Sequence, residues 1–178
     1  MIEENIQFVL SRIKQACLKS GRNPEEVKLL LATKTVAAEN IKLALQTGQR
    51  LIGENKVQEI KEKYEQLKTE VHDKHFIGHL QTNKIKDILK YDVSCIQSMD
   101  RLDLAEKLHK RLTLENKEID VLIQVNTSNE ESKFGASPEE ALTLIKEVSA
   151  FDNIHIKGLM TIGLFSADAD KVRICFKN

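Results

Sequence analysis

The sequence predicts an α/β fold with a parallel sheet. Two features predict it: apolar runs without polar alternation, typical of strands buried on both faces, and the segments of helical spacing that follow them. This strand-then-helix unit occurs six times, and parallel strands need such crossover connections. No low-complexity linker interrupts the series, so we expect a single domain over residues 1–178.

The first element is a predicted helix. Its apolar residues are spaced by three or four positions and form one face: Ile2, Ile6, Val9, Ile13 and Cys17. Gly21 is well placed to end this helix, since glycine adopts the left-handed conformation common there.

Strands and helices then alternate. The predicted strands are residues 27–33, 51–53, 75–78, 93–97, 119–125 and 154–162. Helical spacing is found at residues 41–48, 57–67, 85–89, 102–112 and 141–148, and a further helix opens at Lys171. Three signals predict the start of the helix before the sixth strand. Ser137 is suited to cap the helix, Pro138 to its first turn, and Glu140 to bond back to the backbone of the cap residue.

The composition excludes several partners. The chain carries 27 basic and 27 acidic residues, so electrostatics gives no reason to expect a nucleic acid or an anionic membrane. No apolar run approaches the roughly 20 residues of a membrane span. Cys17, Cys95 and Cys175 form no close pair, which predicts a reduced, cytoplasmic protein.

Two architectures fit six units. An open doubly wound sheet commonly has five or six strands, whereas a (β/α)₈ barrel has eight and about 250 residues. Length alone favours the open sheet, but no G-x-G-x-x-G or G-x-x-x-x-G-K-[ST] phosphate loop is present.

Ligands of parallel α/β proteins meet the carboxyl ends of the strands. Lys34 follows an apolar strand there, where we expect desolvation to lower its pKa and expose a neutral amine that attacks an aldehyde. A solvated surface lysine is the alternative. Asn55 ends the second strand and suits a ligand hydroxyl or ring atom, or else it caps the next helix.

Other polar residues give weaker signals. The irregular spacing of His72, His75 and His79, the last two at opposite ends of one short predicted strand, argues against a metal site. Residues 132–135 form a loop whose Lys133 and Gly135 could serve a phosphate, although an ordinary loop is the simpler interpretation. Cys95 is interpreted as a buried thiol rather than a nucleophile.

Five stretches, taken together and in order, resemble the pyridoxal phosphate homeostasis protein family. They are Leu29-Leu30-Leu31-Ala32-Thr33-Lys34-Thr35, residues 52–59, residues 75–84, residues 123–135 and Gly158-Leu159-Met160-Thr161-Ile162. The resemblance implies an α/β fold of the (β/α)₈ TIM-barrel type of the alanine racemase N-terminal kind, with about six of eight βα units present.

The same resemblance implies a cofactor and its site. Pyridoxal 5'-phosphate would be held as a Schiff base on Lys34, with Asn55 near the cofactor ring and with Ile77 and Met160 at apolar positions of the pocket. It implies a monomeric binding protein without catalytic residues, which keeps the free cofactor at a controlled level, with apoenzymes that use pyridoxal phosphate as candidate recipients.

Relatives continue for roughly another fifty residues, so we expect the chain to be truncated at its C-terminus and its barrel domain to be incomplete. The absent strand ends would hold the cofactor phosphate. Two alternatives to the homeostasis function therefore stay open: an amino acid racemase or decarboxylase of the same barrel type, and a remnant with little cofactor binding.

Overall fold

The computed structural model describes residues 1–130 and 132–177. Glu131, which belongs to the fourth resembling stretch, and Asn178 lie outside the described residues. The chain divides into two compact units, Met1–His75 and Phe76–Asn178.

The predicted alternation of strands and helices is confirmed in the described residues. The strands are β1 (Leu30–Ala32), β2 (Leu51–Glu54), β3 (Asp73–Phe76), β4 (Cys95–Met99), β5 (Ile119–Gln124) and β6 (Ile154–Met160). They lie in one sheet in chain order, from β1 to β6. The pairs β1–β2, β4–β5 and β5–β6 are parallel, as predicted.

The helices follow the strands. They are α1 (Ile2–Lys19), α2 (Ala38–Gln46), α3 (Val57–Leu67), α4 (Ile85–Lys90), α5 (Leu102–Glu115), α6 (Pro138–Val148) and α7 (Ala169–Cys175). Short 3-10 helices cover Pro24–Glu26 and Thr82–Lys84. Within the part of the chain that the structure describes, no helix is long and apolar enough to cross a membrane.

Helix α1 ends as predicted. Gly21 has a φ of 69°, and the amide of Arg22 donates to the carbonyl of Cys17 at 2.9 Å, so a glycine in the left-handed region closes the last turn. The predicted apolar face is wrong at one position. Val9 is exposed, and the half-buried Leu10 lies in its place between Ile6 and Cys17.

The start of α6 has the predicted capping box. The Ser137 hydroxyl accepts from the Glu140 amide at 3.3 Å, and the Glu140 carboxylate accepts from the Ser137 amide at 3.4 Å. Pro138 occupies the first turn, where its missing N–H costs no hydrogen bond. These contacts satisfy amides that have no partner within the helix.

Each unit has its own apolar interior. In the first, Ala38, Ile41 and Leu45 of α2 pack with Ile52 of β2 and with Leu67. In the second, Leu104, Leu108, Leu112, Val121, Ile123 and Val148 are fully buried.

The expectation that every strand is buried on both faces is wrong for β1 and β6. Leu30 and Leu31 are half-buried and Ala32 is exposed, while Leu159 of β6 is 63% exposed. The reason is position, since each of these two strands pairs with only one other among the described strands. Strands β2, β4 and β5 are largely buried, as predicted.

Candidate functional site

Lys34 lies in the turn that follows β1. Its side chain is exposed, and its ammonium makes no hydrogen bond or ion pair with any described residue. The expected desolvation of Lys34 is therefore wrong in this structure, because the strand that leads to it is only half-buried. What distinguishes this amine from other exposed lysines is its place at the end of β1, beside the end of β2.

The residue before Lys34 is anchored inside the first unit. Thr33 is buried, its amide donates to the carbonyl of Gly53 at 2.9 Å, and its hydroxyl donates to Glu54 Oε1 at 2.7 Å. Glu54 ends β2 and is itself buried. The end of β1 is thus tied to the end of β2 by a polar side chain as well as by the backbone.

Lys63 of α3 joins the same contacts. Its Nζ donates to the carbonyl of Thr33 at 2.8 Å, to Glu54 Oε1 at 2.8 Å and to Glu59 Oε2 at 3.1 Å. An ammonium has three N–H donors, and here all three have acceptors. The Lys63 amine is thus engaged with three oxygens, unlike that of Lys34.

Glu59 completes this group. Its Oε2 accepts from the backbone amide of Thr35 at 2.6 Å. That hydrogen bond, reinforced by the Lys63 ammonium, outweighs desolvation and holds the pKa of Glu59 below its usual value. We call Thr33, Thr35, Glu54, Glu59 and Lys63 the strand-end network.

Thr35 has an unusual backbone conformation. Its φ is 62°, in the left-handed region that β-branched residues seldom adopt. Such a conformation costs of order 1–3 kcal/mol and persists only where surrounding contacts hold it. Lys34 lies between this residue and the buried Thr33, so contacts on both sides fix its backbone.

Asn55 follows β2 directly, and Ala32 pairs with Gly53 where the two strands approach their ends. The structure thus brings Lys34 and Asn55 to neighbouring strand ends. The Asn55 Oδ1 atom is buried and has no hydrogen-bond partner among the described residues. The alternative role as a helix cap is not observed, because α3 has Lys56 at its cap and no side-chain cap bond. An unpartnered buried acceptor is costly unless a ligand donates to it.

Ile77 and Met160 belong to the second unit. Ile77 directly follows β3 and Met160 is the last residue of β6, so both lie at strand ends as expected. Both side chains are half-buried. This exposure leaves apolar surface for contact with a ligand.

His79 lies beyond the end of β3, so the prediction that it shares a strand with His75 is wrong. Its ring stacks on Phe134 with centroids 3.8 Å apart, and its Nδ1 is 3.4 Å from Asp100 Oδ2. His72 is half-buried, and desolvation lowers its pKa. Within the described ranges, no group of three or more His, Cys, Asp and Glu side chains could hold a metal ion.

Contacts within the protein account for Lys133 and Gly135 in the loop at residues 132–135. Lys133 Nζ is 2.6 Å from Glu130 Oε2 and donates to the carbonyl of Gly163 at 3.0 Å. A Cβ on Gly135 would lie 2.6 Å from the Asn126 backbone nitrogen, and φ there is 128°. These contacts support the ordinary-loop interpretation over a phosphate site.

Cys95 is a buried thiol, as predicted. Desolvation raises the pKa of Cys95 to about 12, so the thiolate is not formed near neutral pH.

Sequence reasoning missed the contributions of Thr33, Glu59 and Lys63. Glu59 and Lys63 are four residues apart on one helix, the spacing of a helical ion pair, and this was the one local signal available. Their contacts with the end of β1 span 24 to 30 residues of chain and have no local signature.

The parallel strand–helix order and the polar strand ends define a class, and comparison with known proteins agrees. The family "Alanine racemase, N-terminal domain" matches residues 4–175. This match confirms the predicted fold class, an α/β fold of the alanine racemase N-terminal barrel type.

Proteins similar in sequence indicate a particular family within the alanine racemase N-terminal class. The "Pyridoxal phosphate homeostasis protein" of Aquifex aeolicus is 41% identical over 174 residues, 98% of this chain and 76% of that protein. This chain belongs to the pyridoxal phosphate homeostasis protein family.

Solved structures with a similar fold are found as well. An unknown protein from Bifidobacterium adolescentis has a TM-score of 0.90 at 36% identity, covering 98% of this chain and 74% of that one. PipY of Synechococcus elongatus PCC7942, solved with PLP bound, has a TM-score of 0.78 at 26% identity, covering 99% of this chain and 77% of that one.

Proposed function

We propose that this chain binds pyridoxal 5'-phosphate and takes part in keeping the free cofactor at a controlled level. The observation that carries the proposal is the free amine of Lys34 next to a strand end whose Asn55 Oδ1 is buried and unpartnered among the described residues. The names of the relatives and the PLP-bound structure of PipY support the cofactor's identity.

When bound, pyridoxal phosphate supplies an aldehyde. Lys34 would hold that aldehyde through its amine, with a C=N bond in place of the C=O bond and loss of one water. Lys34 suits this role because its amine lies at the strand end and makes no hydrogen bond or ion pair with any described residue. Lys63 does not suit it, because three acceptors hold its ammonium.

The remaining site residues bind rather than react. Asn55 Oδ1 accepts a hydrogen bond from a donor on the ligand. The family resemblance implies apolar pocket positions at Ile77 and Met160, and both side chains are half-buried within the second unit. The strand-end network keeps the backbone of Lys34 in one conformation.

We propose a binding function without turnover of amino acids, in accord with the relatives' names. In this proposal the protein acts as a monomer and passes the cofactor to apoenzymes that use it. A cytoplasmic location is supported by three unpaired cysteines, all buried. Incubation with L-alanine and cofactor, followed by circular dichroism, tests the absence of turnover. Conversion to the D-isomer would favour the racemase alternative.

The site is tested by reduction and mapping. Purified protein is mixed with pyridoxal phosphate, reduced with borohydride and digested, and the modified lysine is located by mass spectrometry. We expect the label on Lys34 and a visible absorption band before reduction. Lys34→Ala should remove both.

Lys61→Ala is the matched control. Lys61 is an exposed lysine on α3 in the same unit, and its loss should leave the band and the label unchanged. Labels spread evenly over many surface lysines would refute a specific site. Absence of the band would favour the remnant alternative.

A further inference from the structure

We propose that Glu59 and Lys63 are positioning residues for Lys34: they hold the backbone on both sides of the amine in the conformation that captures the aldehyde. This inference rests on the proposed function. Neither residue is proposed to touch the cofactor, and both act through the turn after β1.

The contacts lie on the two sides of Lys34. On one side Lys63 Nζ donates to the carbonyl of Thr33 at 2.8 Å. On the other, Glu59 Oε2 accepts from the amide of Thr35 at 2.6 Å. Glu59 and Lys63 are also joined to each other at 3.1 Å, so one ion pair on α3 holds both neighbours of Lys34.

The hydrogen bonds of Lys63 are part-buried, whereas the bond from the Thr35 amide to Glu59 lies at the exposed side of the turn. The side chains of Lys63 and Glu59 are 12% and 15% exposed, and that of Glu54 is 3% exposed. Hydrogen bonds that involve an ionised group are roughly twice as strong as neutral ones. Both neighbours of Lys34 are therefore held by a charge-assisted hydrogen bond.

Thr35 has such an imposed conformation. Its φ of 62° is unfavourable for a β-branched residue, and without a partner for its amide the turn would relax toward ordinary backbone angles. Relaxation at Thr35 changes the direction in which Lys34 leaves the backbone. If the Lys34 side chain takes several orientations, a smaller fraction of the molecules has the orientation that binds the aldehyde. The apparent affinity for the cofactor falls with that fraction.

The test compares three variants in the full chain. Glu59→Ala removes the acceptor, Glu59→Gln keeps an acceptor but no charge, and Glu62→Gln is the control. Glu62 lies on the same helix, is exposed, and accepts a hydrogen bond from Gln58 at 2.9 Å, on the surface of α3. Apparent affinity is read from the visible band, and amide hydrogen exchange is read on a peptide that covers Thr35.

We expect Glu59→Ala to weaken capture of pyridoxal phosphate by about tenfold or more, the loss of one charge-assisted hydrogen bond. Glu59→Gln should weaken it less, and Glu62→Gln should change it less than twofold. Amide hydrogen exchange at Thr35 should be fastest in Glu59→Ala, slower in Glu59→Gln and close to wild type in Glu62→Gln. Exchange in peptides of β5 should stay unchanged in all three variants. Urea unfolding verifies that each variant is folded, and Lys63→Met gives a second approach if Glu59→Ala is not.

The outcomes separate the two proposals. If wild-type protein gives a Schiff base on Lys34 and Glu59→Ala captures the cofactor equally well, the positioning role is refuted and the proposed function stands. Faster exchange at Thr35 with unchanged affinity refutes the positioning role in the same way. If wild-type protein gives no Schiff base, the proposed function fails first and the positioning role fails with it.

Discussion

Two amines near the end of β1 differ in what surrounds them. Lys34 is exposed and unpartnered among the described residues, whereas Lys63 donates to three oxygens and is 12% exposed. An amine attacks an aldehyde only in its neutral form, and acceptors stabilise the charged form. The contacts of the two amines therefore favour Lys34 over Lys63 for the proposed reaction with an aldehyde.

Glu59 gives a pH-dependent prediction at the residue scale. Its pKa is held below the ordinary value of 4.5, chiefly by the hydrogen bond from the Thr35 amide. Lys63 lowers it further, and a hydrogen bond with the Glu54 side chain adds to this. A lowered pKa adds stability that is fully present above the unfolded value and is lost as pH falls through the folded value. Because the bond to Thr35 is exposed and glutamine keeps an acceptor, we expect Glu59→Gln to reduce the free energy of unfolding by about 0.5–1.5 kcal/mol near pH 7.

The difference in the free energy of unfolding between wild type and Glu59→Gln should be constant above about pH 4.5 and should narrow below it. Urea unfolding at a series of pH values measures it. Glu62→Gln, at a solvent-exposed site, should change stability by less than about 0.5 kcal/mol at every pH. A difference for Glu59→Gln that widens toward acid would contradict the assigned direction of the shift.

At the scale of elements, the loop after β5 returns to pair with the strand it leaves. The amide of Asn126 donates to the carbonyl of Ala136 at 2.9 Å, and the amide of Ala136 donates to the carbonyl of Gln124 at 2.9 Å. Gly135 lies within this close approach, where a Cβ would lie 2.6 Å from the Asn126 backbone nitrogen and 2.9 Å from the Val125 carbonyl carbon. Its role is thus to let two backbone segments touch.

Gly135→Ala should therefore destabilise the protein by about 2–4 kcal/mol, the sum of a positive φ and a backbone clash. Gly21→Ala separates the two causes: Gly21 has a φ of 69° and nothing within 4 Å of a Cβ, so about 1 kcal/mol is expected. Thermal or denaturant unfolding of the two variants measures both values. Equal losses would show that the clash at Gly135 is relieved at no cost.

At the scale of the whole molecule, binding and stability are linked. A ligand that binds only the folded state stabilises it by about 2.7 kcal/mol at one hundred times its dissociation constant. For a chain of this size that raises Tm by about 5–10 °C. We expect pyridoxal phosphate to raise the Tm of wild-type protein and of Lys61→Ala, but not of Lys34→Ala.

Differential scanning fluorimetry or calorimetry over a range of cofactor concentrations measures this shift. Reaction of the aldehyde with scattered surface lysines would not depend on Lys34. A Tm shift that persists in Lys34→Ala would thus show that the stabilising interaction lies elsewhere.

Much of the fold and part of the site can be predicted from the sequence. The Ser137 capping box, the Gly21 helix end and the six strands are local patterns, and the structure has them. Strand ends shift by up to three residues: β4 begins at Cys95 and β1 at Leu30, where the predictions began at residues 93 and 27. The roles of Lys34, Asn55, Ile77 and Met160 remain predictions.

The order of elements, the family and the candidate amine follow from the sequence by itself, because periodicity, caps and motifs involve residues close together in the chain. Only the tertiary structure decided that, of the two amines near the end of β1, Lys63 is bound and Lys34 is not. Lys63 meets Thr33 across 30 residues and Glu59 meets Thr35 across 24. It also decided burial, since Ala32 is as apolar in sequence as its neighbours and is exposed because of where β1 lies in the sheet. Partners that are distant in the chain, and not residue type, determine whether a polar group is bound and whether an apolar one is covered.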